Sequence, residues 1–156
     1  MNYFVNWVDN VLSNPYEYVD EVLKTPFQDF KDGDKTFKNI QMRENDEFEK
    51  IAQSYFPDYK VNYNFIRQSP YKQKEPNYIH SDEMMGDKTL LLYLNKLYPK
   101  DAGTTLYQND IPMCKLFYKF NRMVVFDSYI LHSRNLYDNF GEYNNSRLIQ
   151  VIFLQK

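Results

Sequence analysis

Met123-Val124-Val125-Phe126-Asp127-Ser128-Tyr129-Ile130-Leu131-His132-Ser133 is the stretch on which the fold turns. Two short apolar runs, Met123–Phe126 and Ile130–Ser133, are separated only by Asp127, Ser128 and Tyr129. No helix fits between them, so they are not successive strands of a parallel βαβ unit. The same texture recurs on both sides. Tyr59–Arg67, Tyr78–His80, Thr89–Asn95, Thr104–Gln108 and Leu116–Phe120 precede the stretch, and Leu148–Leu154 follows it. Aromatic and β-branched residues fill these runs, and Asp, Asn, Pro and Gly clusters separate them. Eight short strands without intervening helices predict an antiparallel sandwich in a mainly β (α+β) chain. A double-stranded β-helix, or jelly roll, leads, and other β-sandwiches fit the strand count equally well.

Upstream of Pro57 the signals are helical. Asn14-Pro15 resembles an N-cap followed by proline at the first helical position, with Tyr18, Val19, Val22 and Leu23 on one face. Asp46 and Glu49 fit a capping box before the apolar stripe Phe48, Ile51, Ala52 and Tyr55. Lys31-Asp32-Gly33-Asp34 reads as a turn, and Trp7 as part of a helix face. The expected organisation is one domain over residues 1–156, in which a mostly helical support, residues 1–57, packs on a jelly-roll core, residues 58–156.

Composition narrows the function classes. Nineteen basic against 21 acidic residues give a net charge of −2, which disfavours a dedicated nucleic-acid binder. The single cysteine, Cys114, forms no internal bridge and points to a reducing, cytoplasmic setting. No apolar run approaches the roughly 18 residues of a membrane span, and the first residues lack a signal-peptide pattern. Fifteen tyrosines and 12 phenylalanines against four glycines fit an AT-rich coding sequence, viral or bacterial. Histidine occurs only as His80 and His132.

Those two histidines carry the chemistry. In an extended backbone His80 and Asp82 project to one side and can grip one ion together. His132 follows His80 by 52 residues in a later strand. Two imidazoles and a carboxylate on one face of an octahedron form the facial triad of non-haem Fe(II) oxygenases, with three positions open. A lone His-x-Asp is common by chance, and a histidine in a β-rich domain is more often structural. The placement of both histidines favours the metal.

At this point the stretch from Tyr78 to Gln155 resembles an Fe(II)/2-oxoglutarate-dependent dioxygenase of the prolyl-hydroxylase-like kind found in bacteria and phages. His80, Asp82 and His132 match its metal ligands, and Arg147, 15 residues beyond His132, its basic residue. Leu91-Leu92-Tyr93-Leu94-Asn95 resembles the strand whose tyrosine bonds the cosubstrate. Ala102-Gly103-Thr104-Thr105-Leu106-Tyr107 resembles the Gly-Gly-Thr strand, with one glycine of the pair retained. Asn121-Arg122-Met123-Val124-Val125-Phe126-Asp127 resembles the segment that leads to the distal histidine. The resemblance implies Fe(II), 2-oxoglutarate and dioxygen, with Arg147 and Tyr93 at the cosubstrate. The implied reaction hydroxylates a small molecule or an exposed protein side chain, releasing succinate and CO2.

Other assignments stay open. Arg134 shares the strand face of His132 and competes with Arg147 for the cosubstrate. Arg67 and Thr105 are further pocket candidates, although a surface salt bridge is the simpler fate for Arg67. Tyr93 has ordinary core packing as its rival role. A non-catalytic jelly-roll binding or virion-associated module is the alternative function, and a cupin-like enzyme lacking the carboxylate clamp is a third.

Overall fold

The computed structural model describes residues 4–75 and 77–156. Strand β1 (Val5–Val8) is followed by helix α1 (Pro15–Lys24), a hairpin of β2 (Gln28–Asp32) and β3 (Lys35–Met42), and helix α2 (Glu47–Tyr55). Then come β4 (Lys60–Ser69), β5 (Lys88–Tyr93), β6 (Thr104–Gln108), β7 (Ile111–Leu116), β8 (Met123–Asp127), β9 (Leu131–Arg134) and β10 (Arg147–Gln155). A seven-stranded sheet runs β1-β8-β5-β10-β4-β3-β2 and faces a three-stranded sheet ordered β7-β6-β9. Every named pairing is antiparallel. A single bridge between His80 and His132 adds a fourth, minimal member to the smaller sheet. The four strands β8-β5-β10-β4 against the four members of the smaller sheet make a jelly roll.

Strand alternation divides the interior into two cores. On β10, Leu148, Ile152 and Leu154 turn outward with Leu90 and Leu92 of β5 and meet Val19, Val22 and Phe48 of the helices. Ile149, Val151 and Phe153 turn inward with Leu91 and Tyr93 and face the smaller sheet. The larger sheet is therefore buried on both faces at its centre. That is why its strands read as continuous apolar runs instead of alternating ones. One polar knot interrupts the helix-side core. Asp46 caps α2 by accepting from the Glu49 N–H at 3.0 Å, and it also accepts from Gln150 Nε2 of β10 at 2.8 Å.

Three expectations are corrected. Residues 1–57 are not mostly helical, because β1, β2 and β3 occupy nearly as much of this segment as α1 and α2. Asn39 hides β3 by adopting a left-handed φ of 53°, and the β2–β3 register shifts beside it, which breaks the period-two pattern. Trp7 lies on edge strand β1, more than half exposed, not on a helix. The strand expected over Leu116–Phe120 lies earlier, at Ile111–Leu116, joined to β6 through Asn109-Asp110. Tyr118 leaves the strand path to stack on Tyr93, while Pro112 is tolerated because β7 is an edge. At Gly103 an added Cβ would sit 1.9 Å from the Leu116 carbonyl oxygen, so the close approach of β6 and β7 demands glycine there. No described helix is long and apolar enough to cross a membrane.

Candidate metal centre and its cavity

Two reciprocal hydrogen bonds, His80 N–H to His132 O at 3.1 Å and His132 N–H to His80 O at 2.9 Å, fix the backbones of the two histidines side by side. Their rings follow onto one face with centroids 4.5 Å apart. Each imidazole places Nδ1 on a backbone carbonyl, Tyr78 O at 3.3 Å for His80 and Ile130 O at 3.0 Å for His132. With the proton on Nδ1, both Nε2 lone pairs turn inward, the tautomer that a metal requires. Asp82 is held by its N–H on Ser128 O at 2.8 Å and faces both rings. Its Oδ1 lies 3.5 Å from His80 Nε2, and its Oδ2 lies 3.0 Å from His132 Nε2. The ligand atoms of all three side chains lie within 4.8 Å of one another, close enough to share one ion.

The electrostatics fit that use. Burial alone would raise the Asp82 carboxyl, but the two imidazoles and the Thr89 hydroxyl outweigh it and hold the group below its ordinary value. Burial, reinforced by the neighbouring His132, pushes His80 below the usual imidazole value, so it presents a free lone pair near neutrality. Near neutrality Asp82 is therefore a carboxylate and His80 a neutral imidazole, the forms in which these groups ligate.

A cavity of about 620 Å³ opens from this centre between the two sheets. Its apolar wall includes Phe37, Phe65, Leu91, Val151 and Phe153. Three arginines line it, and they differ in what they touch. Arg134 is fully engaged. Its Nη1 pairs with Glu75 Oε2 at 2.9 Å, its Nε and Nη2 donate to Tyr137 O, and the rings of Tyr78 and Tyr137 flank it. Arg147 and Arg67 have no ion-pair partner among the described residues, and the Nε of each is buried without a hydrogen bond. Both side chains are half-buried and line the cavity. That burial pulls both guanidinium pKa values down, against the opposing pull of Glu75. Arginine remains charged under such shifts, so two partly desolvated cations stand here without an ion-pair partner among the described residues.

The remaining candidates fall on either side of the wall. Tyr93 is fully buried and donates to, or accepts from, the Thr104 hydroxyl at 2.8 Å. Burial pushes its phenol up to about 12. Thr104, not Tyr93, lines the cavity, so the tyrosine reaches it through that hydroxyl. Thr105 points the other way, donating to Asn135 Oδ1 at 2.5 Å beside a shallow cleft that includes Cys114. The pairing of Leu106 with His132 and of Thr104 with Arg134 explains this, because paired residues share a face. Parity with buried Leu106 was therefore a readable signal for Thr104. Glu75 had none, since a lone acid in a Lys-rich loop looks like a solvated charge.

No protein-family model and no curated protein matches the chain. Solved structures do. A prolyl hydroxylase in complex with a hypoxia inducible factor oxygen degradation domain peptide fragment, from Trichoplax adhaerens, superposes with a TM-score of 0.65 at 14% identity, covering 97% of this chain and 83% of that one. A non-heme α-ketoglutarate-dependent epimerase from nogalamycin biosynthesis gives 0.65 at 12% identity, covering 97% and 77%. An oxidoreductase of the 2OG-Fe(II) oxygenase family from Burkholderia pseudomallei gives 0.64 at 12% identity, covering 97% and 84%. At such identities the likeness is one of fold: the chain shares the jelly-roll architecture of the solved 2-oxoglutarate/Fe(II) oxygenases.

Proposed function

We propose that the protein is an Fe(II)- and 2-oxoglutarate-dependent dioxygenase that hydroxylates a small molecule or an exposed side chain. The observation that carries this reading is the conjunction, in one cavity, of a preset His80-Asp82-His132 face with the buried, unpartnered Nε of Arg147. A structural module has no use for either feature, and a metal enzyme without a dicarboxylate cosubstrate has no use for the second.

In this reading His80, Asp82 and His132 hold iron, which supplies dioxygen activation coupled to conversion of 2-oxoglutarate into succinate and CO2. Arg147 takes the C5 carboxylate in a bidentate, charge-assisted pair, removing the cost of its isolated charge. Thr104 presents its hydroxyl to the same region, oriented by Tyr93. Tyr118 stacks on Tyr93 at 4.2 Å and donates to Leu148 O, which holds Tyr93 in place behind Thr104. Arg134 does not compete, because Glu75 and the Tyr137 carbonyl already use its donors. Its part is to pin the loop before His80 to the loop after β9.

The decisive test is anaerobic addition of Fe(II) and 2-oxoglutarate, which should give a visible metal-to-ligand charge-transfer band. Iron binding without that band would refute the cosubstrate assignment.

A further inference from the structure

Arg67 is the charge that the cosubstrate leaves unused. It sits on the inner face of β4, paired across to Ile149 on one side and to Ile40 of β3 on the other. Arg147 sits on β10, opposite Ser69. The two arginines are thus diagonal neighbours on one sheet face, but their surroundings differ. Along β10 the inward residues run from Phe153, opposite Thr89, through Ile149, opposite Tyr93 and Arg67, to Arg147 at the far end. The Thr89 hydroxyl reaches Asp82 Oδ2 at 3.4 Å, so Arg67, opposite Ile149, lies one register step nearer the metal centre than Arg147, and its guanidinium lies 5.5 Å from the centre of the Phe65 ring. A dicarboxylate chelating the metal at one end reaches outward with its other end, so the more distant arginine suits its C5 carboxylate. Arg67 then stands beside the reacting centre, on the side where β3 contributes Lys35 and Phe37 to the wall.

Charge makes the same point. A metal dication with Asp82 leaves one positive charge, and Arg134 is cancelled by Glu75. Arg67 and Arg147 raise the total to three, and 2-oxoglutarate removes two. Lys35 and Glu83 also line the cavity and offset each other. One positive charge remains, on the half-buried guanidinium of Arg67, whose buried Nε has no partner. A buried donor left in that condition costs stability unless a ligand satisfies it.

We propose that Arg67 is the anion site for the primary substrate, which is a small molecule bearing a single carboxylate attached to an apolar body. The inference rests on the dioxygenase reading and deepens it. The guanidinium fork matches a planar carboxylate, and Phe37, Phe65 and Phe153, with ring centres 5.3 and 6.2 Å apart in sequence, offer the apolar surface beside it. A single residual charge favours a carboxylate over a phosphate dianion.

The test uses acetate as the probe, on protein loaded with Mn(II) and saturating 2-oxoglutarate, so that the Arg147 site is filled. Relaxation of [13C]acetate by the paramagnetic ion reports binding near the metal without turnover. Wild type should show a saturable enhancement at millimolar acetate and none of comparable affinity for inorganic phosphate followed by 31P. Arg67→Gln should weaken acetate at least tenfold, with Arg67→Lys intermediate. Both variants should keep 2-oxoglutarate affinity, read from the anaerobic Fe(II) charge-transfer band, within twofold of wild type, which also certifies their fold. Acetate enhancement that is absent from wild type, or unchanged in Arg67→Gln, overturns the proposal. So does loss of 2-oxoglutarate affinity in Arg67→Gln, which would assign Arg67 to the cosubstrate, or saturation by phosphate alone. A wild type that gives no charge-transfer band fails at the earlier step and removes the dioxygenase reading as well.

Discussion

His132 and Arg147 make opposite demands on the polypeptide. His132 is stabilised by its surroundings, with Nδ1 on Ile130 O and the ring packed 4.7 Å from the centre of Phe126. Removing it should cost metal more than fold: His132→Ala should retain no stoichiometric Fe(II) after gel filtration, because two remaining ligands hold a labile ion weakly. Retention equal to wild type would show that the metal sits elsewhere. Arg147 is half-buried without an ion-pair partner among the described residues, so Arg147→Gln should leave the ligand-free protein at least as stable as wild type, since a functional group is held at a cost to stability. The same variant should bind 2-oxoglutarate more than tenfold more weakly, since truncating one side of a buried charge pair costs about 2–5 kcal/mol. Urea midpoints and charge-transfer titrations check the two halves. A marked loss of stability would make Arg147 a structural residue. The metal face was legible at this scale because the chain has only two histidines, one in a His-x-Asp triplet. Thr104 was readable only through its strand parity with Leu106, and Glu75 was not readable at all, because its role depends on a tertiary ion pair.

Among the elements, α2 shows how a local signal acquires tertiary weight. Asp46 was legible as its N-cap, and the Asp46–Glu49 bond at 3.0 Å bears that out. Glu49, in turn, reaches back to the Asn45 N–H instead of that of Asp46 itself. What the local pattern hid is that Asp46 also accepts from Tyr18, Arg43, Asn64 and Gln150. Burial opposes its ionisation, but these donors win and hold the carboxyl below its ordinary value. A depressed folded pKa adds stability that is complete above the unfolded value near 4 and is lost as pH falls toward the folded value. Asp46→Ala should therefore destabilise by about 2–4 kcal/mol at pH 7, combining a lost cap with stranded buried donors. It should also flatten the acid limb of the stability profile below about pH 4. Urea unfolding from pH 3 to 7 measures both, and an unchanged acid limb would show that Asp46 is not the titrating group. Strands β4 to β6 and β8 to β10 were readable because continuous apolar runs bounded by turns leave few alternatives. The second strand run was not, since Tyr78–His80 survives only as the bridge at His80. β2 and β3 escaped because their polar faces and the bulge at Asn39 conceal the period.

At the scale of the molecule, a chain of net charge −2 encloses a cavity lined by unpaired positive charge. The loops on either side of that cavity are tied together. Tyr71 N–H donates to Gly141 O at 2.8 Å, Lys72 N–H donates to Asp138 O at 2.7 Å, and Arg134 bridges Glu75 to the Tyr137 carbonyl. Ligands that fill the cavity therefore act on strands β4, β9 and β10 and on both loops at once, and their binding energy should appear as global stability. A ligand at a hundredfold excess over its Kd adds about 2.7 kcal/mol, which corresponds to about 5–11 °C in Tm for a domain of this size. Mn(II) and 2-oxoglutarate added in turn should raise the Tm in two steps. Arg147→Gln should keep the first step and lose most of the second, whereas His132→Ala should lose the first and with it the second. Order matters here, because the cosubstrate chelates the ion and gains affinity from it. A wild type that gains stability from Mn(II) but nothing more from 2-oxoglutarate would leave the arginines without their anion and break the link between the two sites.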